Sequence, residues 1–211
     1  MTDVLETITA ARLLPVVVID DAATALPLAA ALRCGGLRCA EITLRTPAAE
    51  AAIRALATGP DVLVGAGTVL NAAQAARVID AGARFVVTPG FSLEVVRLCQ
   101  ARSVPVFPGV ATATELMAAL DAGIETVKFF PAEQLGGIAT LKALAAPFGS
   151  VTFIPTGGIS VANLAAYLGH PAVRAVGGSW MVAASLIAAG DFDEITRLTT
   201  QAVAIAAGGQ E

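Results

Sequence analysis

The 211-residue sequence predicts an α/β protein built as one (β/α)8 TIM barrel with an extra N-terminal helix, and three observations point there. Short β-branched runs alternate with alanine-rich amphipathic runs from end to end, giving eight strands spaced roughly 20 to 26 residues apart. Strict alternation requires parallel strands, because each crossover helix returns the chain to the same edge. No Gly-x-Gly-x-x-Gly turn follows the first strand, as a dinucleotide-binding open sheet would show, and polar residues recur at period two inside several strands, as barrel interiors permit. An open doubly wound sheet is the structural alternative. Two small domains fit the length arithmetically, but no linker or low-complexity stretch divides the chain, so residues 1–211 are read as a single domain.

Element by element, a short helix opens the chain. The β-branched run at 15–19 is the first strand, and helix 22–32 follows, stopped by Gly35. Strand 38–44 leads to helix 47–57, ended near Gly59, and strand 62–66 to helix 71–81, capped by Asn71 and stopped by Gly82. Next come strand 85–88 with helix 93–101, and strand 105–107 with helix 112–122, capped by Thr112 and stopped by Gly123. Strand 126–130 precedes helix 138–145, and strand 152–155 precedes helix 160–168, for which Ser160 is the expected cap. Strand 173–176, helix 180–188 with its stop at Gly190, and a C-terminal helix around 192–206 complete the count.

Composition removes several classes of function. With 56% hydrophobic and 14% charged residues the chain has enough apolar surface to offset the entropy lost on folding. Mean hydropathy is high, +0.75, yet no apolar run reaches the roughly 18 residues of a membrane span. Asp3 and Glu6 stand where a secretory signal would be basic, which predicts a cytoplasmic location. Cys34, Cys39 and Cys99 are too few for a disulfide framework and read as small buried hydrophobes. Thirteen scattered basic residues in a chain of net charge −4 form no basic stripe, which argues against nucleic acid and anionic membrane as partners and leaves an anionic small molecule allowed. His170, before Pro171, is the sole histidine and reads as a solvated loop residue, so no multi-histidine metal site can be built. An amine nucleophile must come from Lys128, Lys142 or the N-terminus.

A barrel places its chemistry at the C-terminal ends of its strands. On the second strand Glu41, Thr43 and Arg45 alternate with Ile42 and Leu44, so that if the apolar pair faces the helices, Glu41 and Arg45 face the interior. A solvated strand with a local Glu and Arg pair is the bland alternative, and a parallel strand buried on both sides disfavours it. Lys128 lies in Thr126-Val-Lys-Phe-Phe-Pro, where desolvation would favour the free amine able to attack a carbonyl; the competing reading is a lysine snorkelling to water. Lys142, between Leu141 and Ala143 on a helix, reads as a surface charge. The turns Thr156-Gly157-Gly158 and Gly177-Gly178-Ser179 end the last two strands, where glycine lets main-chain N–H groups approach an anion. An amine, a carboxylate, an arginine for a substrate carboxylate and a phosphate cradle together suit carbon–carbon cleavage through an imine.

Seven segments, in order, then carry a family resemblance: 15–19, Glu41-Ile-Thr-Leu-Arg45-Thr46, Val64-Gly-Ala-Gly-Thr-Val-Leu70, Pro89-Gly90, Val127-Lys-Phe-Phe-Pro-Ala-Glu133 followed by Gly136-Gly137, Pro155-Thr-Gly-Gly-Ile-Ser160, and Gly177-Gly-Ser-Trp180. Over essentially its whole length the chain resembles the bacterial 2-keto-3-deoxy-6-phosphogluconate (KDPG) and 4-hydroxy-2-oxoglutarate (KHG) aldolases. The resemblance implies a class I aldolase of the Entner-Doudoroff pathway in which Lys128 forms a Schiff base with pyruvate and Glu41 is the general acid and base, acting through a water. It implies that Arg45 and Thr68 bind the pyruvyl carboxylate region, that Pro89 and Phe130 line the pocket, and that Thr156, Gly157, Gly158, Gly178 and Ser179 bind the phosphorylated end. It further implies a homotrimer with no metal and no cofactor. Thr88 stands where the family pattern suggests serine, which keeps the hydroxyl. Competing readings are an aldolase for the galactonate epimer, toward which the Glu133-Gln-Leu-Gly-Gly137 stretch does not lean, a phosphosugar isomerase barrel that would not need Lys128 beside Glu41, and a non-catalytic phosphosugar sensor.

Overall fold

Residues 4–59 and 62–208 are described by a computed structural model, in which every strand pairing is parallel. The acidic start read at Asp3 lies outside the described residues. The chain runs α1 (Val4–Ala11), β1 (Leu13–Val17), α2 (Ala25–Cys34), β2 (Cys39–Thr43), α3 (Ala49–Ala57), β3 (Leu63–Gly67), α4 (Ala72–Asp80), β4 (Val86–Val87) and α5 (Leu93–Ala101). It continues β5 (Val106–Phe107), β6 (Gly109–Val110), α6 (Ala113–Asp121), β7 (Thr126–Phe129), α7 (Gly137–Ala145), β8 (Thr152–Pro155), α8 (Leu164–Leu168), β9 (Val176–Gly178), α9 (Ala184–Ala189) and α10 (Phe192–Gly208).

Six strands form one sheet in the order β5-β4-β3-β2-β1-β9, and three form a second in the order β6-β7-β8. The fifth expected strand, 105–107, is found as β5, and past Pro108, which has no N–H to donate to the ladder although its carbonyl accepts from Lys128 N–H at 2.9 Å, the chain adds a short strand that was not expected, β6, in the second sheet. The eighth expected strand is shifted toward the C-terminus. Val173 makes only an isolated parallel bridge to Phe153, and regular pairing starts at Val176, with Thr156 bridged to Gly177.

Side chains alternate between two cores, as period-two strands require. Ala40, Ile42, Val127 and Phe129 point outward into a core shared with Leu28, Ile53, Val78, Leu116 and Ile195 of the helices. Leu14, Cys39, Phe85, Val87, Phe107 and Ile154 point inward, and Val4 and Ile8 of α1 close that inner core from one end. Burial of each of those two side chains contributes about 1.5–3 kcal/mol, which is what holds so short a helix in place. Arg12 (φ 55°) then links three elements, its guanidinium donating to Leu168 O at 2.5 Å and Ala206 O at 3.4 Å near the C-terminal ends of α8 and α10, where a cation is favoured.

Asn71 and Thr112 cap α4 and α6 as expected, Thr112 in a full capping box with Glu115. Ser160 does not cap a helix. Asn163 Oδ1 accepts the Ser160 N–H at 2.8 Å, and regular helix begins only at Leu164. The expected helix 180–188 is broken at Ala183, whose ψ of 135° separates a 3₁₀ turn (Trp180–Val182) from α9. Cys34 corrects the reading of three buried cysteines, since at the end of α2 it is exposed while Cys39 and Cys99 are buried. Burial pushes the Cys39 thiol up to about 12 and the Cys99 thiol to about 11, leaving almost no thiolate at neutral pH. Iodoacetamide at pH 8 is therefore expected to label Cys34 alone in the folded protein and all three after denaturation, as peptide mass spectrometry would read; native labelling of Cys39 would contradict its burial.

Candidate active site

Glu41 sits on the inward face of β2, in register with Val16 of β1 and Gly65 of β3, and is 1% exposed. Lys128 sits on the inward face of β7, between the outward Val127 and Phe129, and is 6% exposed. Their side chains meet: Nζ lies 3.3 Å from Glu41 Oε1. Each charge alone would be costly to bury, and the pair is tolerable because each partner compensates the other. Glu41 Oε2 is buried with no hydrogen-bond partner among the described residues, an acceptor left over for something other than the protein. The Phe130 ring lies 5.3 Å from Nζ and flanks the amine on a second side.

The carboxylate owes its placement to a neighbouring strand. A side chain at Gly67 of β3 would collide with Glu41 Oε1, so the glycine is the seat on which the carboxylate rests. Sequence reasoning passed over this role of Gly67. The period-two glycines Gly65 and Gly67 carry the signal, which becomes readable once the β2–β3 register is known.

The remaining site residues expected from the sequence lie at or just past the strand ends. Thr68 follows Gly67 with φ 55°, a left-handed conformation that a threonine adopts only under local constraint, and it is half-buried. Pro89 and Phe130 are half-buried at the ends of β4 and β7. Thr88 Oγ1 donates to Gly90 O at 2.6 Å and fixes the turn that carries Pro89. Arg45 lies past the end of β2, exposed, and its guanidinium has no partner among the described residues, so Arg45 is not brought into contact with Glu41 or Lys128. Lys142 is exposed on α7, and His170 accepts the Ala172 N–H in a loop.

The two glycine turns do come together. The Thr156–Gly177 bridge sets them side by side, with Gly157 (φ 104°) and Gly158 (φ 74°) in the left-handed region that glycine enters without strain. The N–H groups of Gly157, Gly158 and Ser179 have no acceptor among the described residues. Gly178 is buried, Ser179 is exposed, and Thr156 is buried against Gly177. Open main-chain N–H groups in glycine turns are donors that can serve an anion without any lysine or arginine. Two residues missed by the sequence reading, Tyr167 and Asn163, brace this turn; Asn163 Nδ2 donates to Gly158 O at 3.2 Å.

A buried amine against a buried carboxylate is the equipment of an enzyme that works on carbonyl compounds, and comparison with known proteins fixes the class as a lyase of the aldolase type. The family described as KDPG and KHG aldolase matches residues 4–198, and the chain belongs to that family. A curated relative from Treponema pallidum, a 2-dehydro-3-deoxy-phosphogluconate aldolase, is 52% identical over 206 residues, 97% of this chain and 98% of its own. The crystal structure of KDPG aldolase from Legionella pneumophila, with pyruvate captured at low pH as a covalent carbinolamine intermediate, is 44% identical at a TM-score of 0.91, covering 95% of this chain and 98% of that one. The corresponding Zymomonas mobilis ZM4 enzyme with 3-phosphoglycerate is 42% identical at a TM-score of 0.91, with 97% of each chain covered.

Proposed function

We propose that this protein reversibly cleaves 2-dehydro-3-deoxy-6-phospho-D-gluconate to pyruvate and D-glyceraldehyde 3-phosphate, and 4-hydroxy-2-oxoglutarate to pyruvate and glyoxylate, through an imine on Lys128. The 3.3 Å contact between the buried Lys128 amine and the Glu41 carboxylate carries the reading. The Lys128 ammonium first passes a proton to Glu41, and the free amine adds to the substrate C2 carbonyl to give a carbinolamine; Glu41 returns the proton to the departing hydroxyl, so that water leaves and the iminium forms with the carboxylate restored. Glu41 takes the proton of the C4 hydroxyl through a water, the C3–C4 bond breaks, and its electron pair passes into the iminium as an enamine while the aldehyde leaves. Return of the proton to C3 gives the pyruvyl imine, and water releases pyruvate and restores the amine. Capture of pyruvate as a carbinolamine in the Legionella enzyme supports the first step.

Arg45 and Thr68 hold the pyruvyl carboxylate, Arg45 by swinging inward from its exposed position with paired hydrogen bonds. Pro89 and Phe130 wall the reacting carbons, and Thr156, Gly157, Gly158, Gly178 and Ser179 take the phosphate. In this reading β5 and β6 are one strand interrupted at Pro108, the Val173 and Thr156 bridges join β8 to β9, and the two sheets close into a single eight-stranded barrel over one domain of 211 residues. The same reading makes the protein a cytoplasmic homotrimer; among the described residues no helix is long and apolar enough to cross a membrane.

Incubation with pyruvate and borohydride, followed by digestion and mass spectrometry, is expected to find a reduced pyruvyl adduct confined to Lys128. No adduct, or one on Lys142, would return the lysine to a structural role. Turnover of the gluconate substrate against its galactonate epimer then fixes which keto acid is preferred.

A further inference from the structure

Glu133 occupies the 3₁₀ turn Glu133–Leu135 that follows the lysine-bearing strand, and it grips the Gly157-Gly158 turn in two ways while its side chain holds a third group. Its main-chain N–H donates to Gly157 O at 3.1 Å, next to the Ala132 N–H that donates to Thr156 O at 2.8 Å. Its Cβ lies 2.6 Å from where a side chain on Gly158 would begin, so it fills the space above that glycine. Its Oε1 accepts the hydroxyl of Tyr167, a buried side chain of α8, the helix that follows the turn. The carboxylate is thus tied to Tyr167, beside the loop whose N–H groups lack acceptors. An untethered carboxylate at this position would compete for those N–H groups and repel an anion approaching them. Burial and the adjacent carboxylate both push the Tyr167 hydroxyl above the usual phenol range, so it remains a donor throughout the neutral and mildly alkaline range.

We propose that the Glu133–Tyr167 pair is a latch that positions the Gly157-Gly158 N–H groups for a phosphate ester, and so sets the preference for phosphorylated over unphosphorylated 2-keto acids. Both are positioning residues, acting through the turn. The substrate half of this inference rests on the function proposed above, whereas the anion half rests on the geometry of the turn.

The test uses the full-length protein and its Tyr167→Phe and Glu133→Gln variants. Inorganic phosphate is titrated against the fluorescence of Trp180, the sole tryptophan, whose ring packs on Gly178; kcat and KM are measured with the phosphorylated gluconate substrate and with unphosphorylated 4-hydroxy-2-oxoglutarate. Tyr167→Phe is expected to weaken phosphate binding and raise KM for the phosphorylated substrate by about tenfold, the loss expected from one hydrogen bond to a charged group. Its kcat, and both constants for the unphosphorylated substrate, stay within about twofold of wild type, since the Lys128–Glu41 pair is untouched. Glu133→Gln still accepts the phenol's hydrogen bond and behaves as wild type. Should Tyr167→Phe fail to fold, Glu133→Asp, whose shorter side chain keeps the charge but no longer reaches the phenol, carries the same expectation at an exposed position. Equal losses on both substrates, or an unchanged phosphate titration, would reduce the pair to a brace for α8 and overturn the latch. A wild-type protein that binds no phosphate overturns it as well. Phosphate binding without cleavage of the phosphorylated keto acid would instead refute the proposed function, and the titrations alone would then decide for or against the latch.

Discussion

Lys128→Met is expected to lower kcat/KM for keto-acid cleavage by about 10⁴-fold or more, the scale seen when a covalent nucleophile is removed, while leaving the fold in place. Methionine keeps most of the lysine stem's volume, so neither core opens a cavity. Lys142 cannot take over, because it is exposed on α7. The borohydride-trapped pyruvyl adduct disappears with the activity. Stability falls as well: removing one member of a buried ion pair strands the other charge, at a cost of about 3–5 kcal/mol. Adding Glu41→Gln to Lys128→Met removes the stranded charge, and thermal melts are expected to show much of the loss recovered in an enzyme that is still inactive. Activity surviving in the single variant would exclude Lys128 as the imine-forming residue.

What the sequence made legible were features repeated at a fixed period or placed at an element's end. Glu41 and Lys128 were readable because each breaks an apolar strand on one face only, and the two glycine turns because they close consecutive strands. Helix limits matched where a side chain caps locally, at Asn71 and Thr112. What escaped were contacts that need register or tertiary packing. The collision that reserves Gly67 for Glu41 lies across two strands, and the Glu133–Tyr167 bond spans 34 residues between a turn and a helix. Strand 105–107 was legible but β6 was not, because the Pro108 carbonyl keeps pairing with β7 and the chain re-enters the ladder at Gly109. Cys34 was misread because its exposure depends on what α2 packs against, which hydropathy does not reveal.

Glu41→Gln separates proton transfer from imine formation, because the amide keeps a group within reach of Nζ but cannot take a proton. The variant is expected to form the pyruvyl imine at close to the wild-type extent, so borohydride still labels Lys128. Exchange of the pyruvate methyl protons for deuterium, followed by NMR, is expected to slow by about 10²–10⁴-fold, the usual worth of a positioned general base. The expectation depends on Glu41 Oε2, the buried oxygen without a protein partner, being the one that handles the proton through a water; in the variant one amide position becomes a donor, and the proton relay is lost. The stability change should be smaller than in Lys128→Met, since the amide oxygen can still accept a hydrogen bond from Nζ, whereas methionine leaves the carboxylate with no donor. Unchanged exchange with intact imine formation would move the proton shuttle to another group. Loss of both steps together would mean instead that the carboxylate chiefly sets the position and charge state of the Lys128 amine.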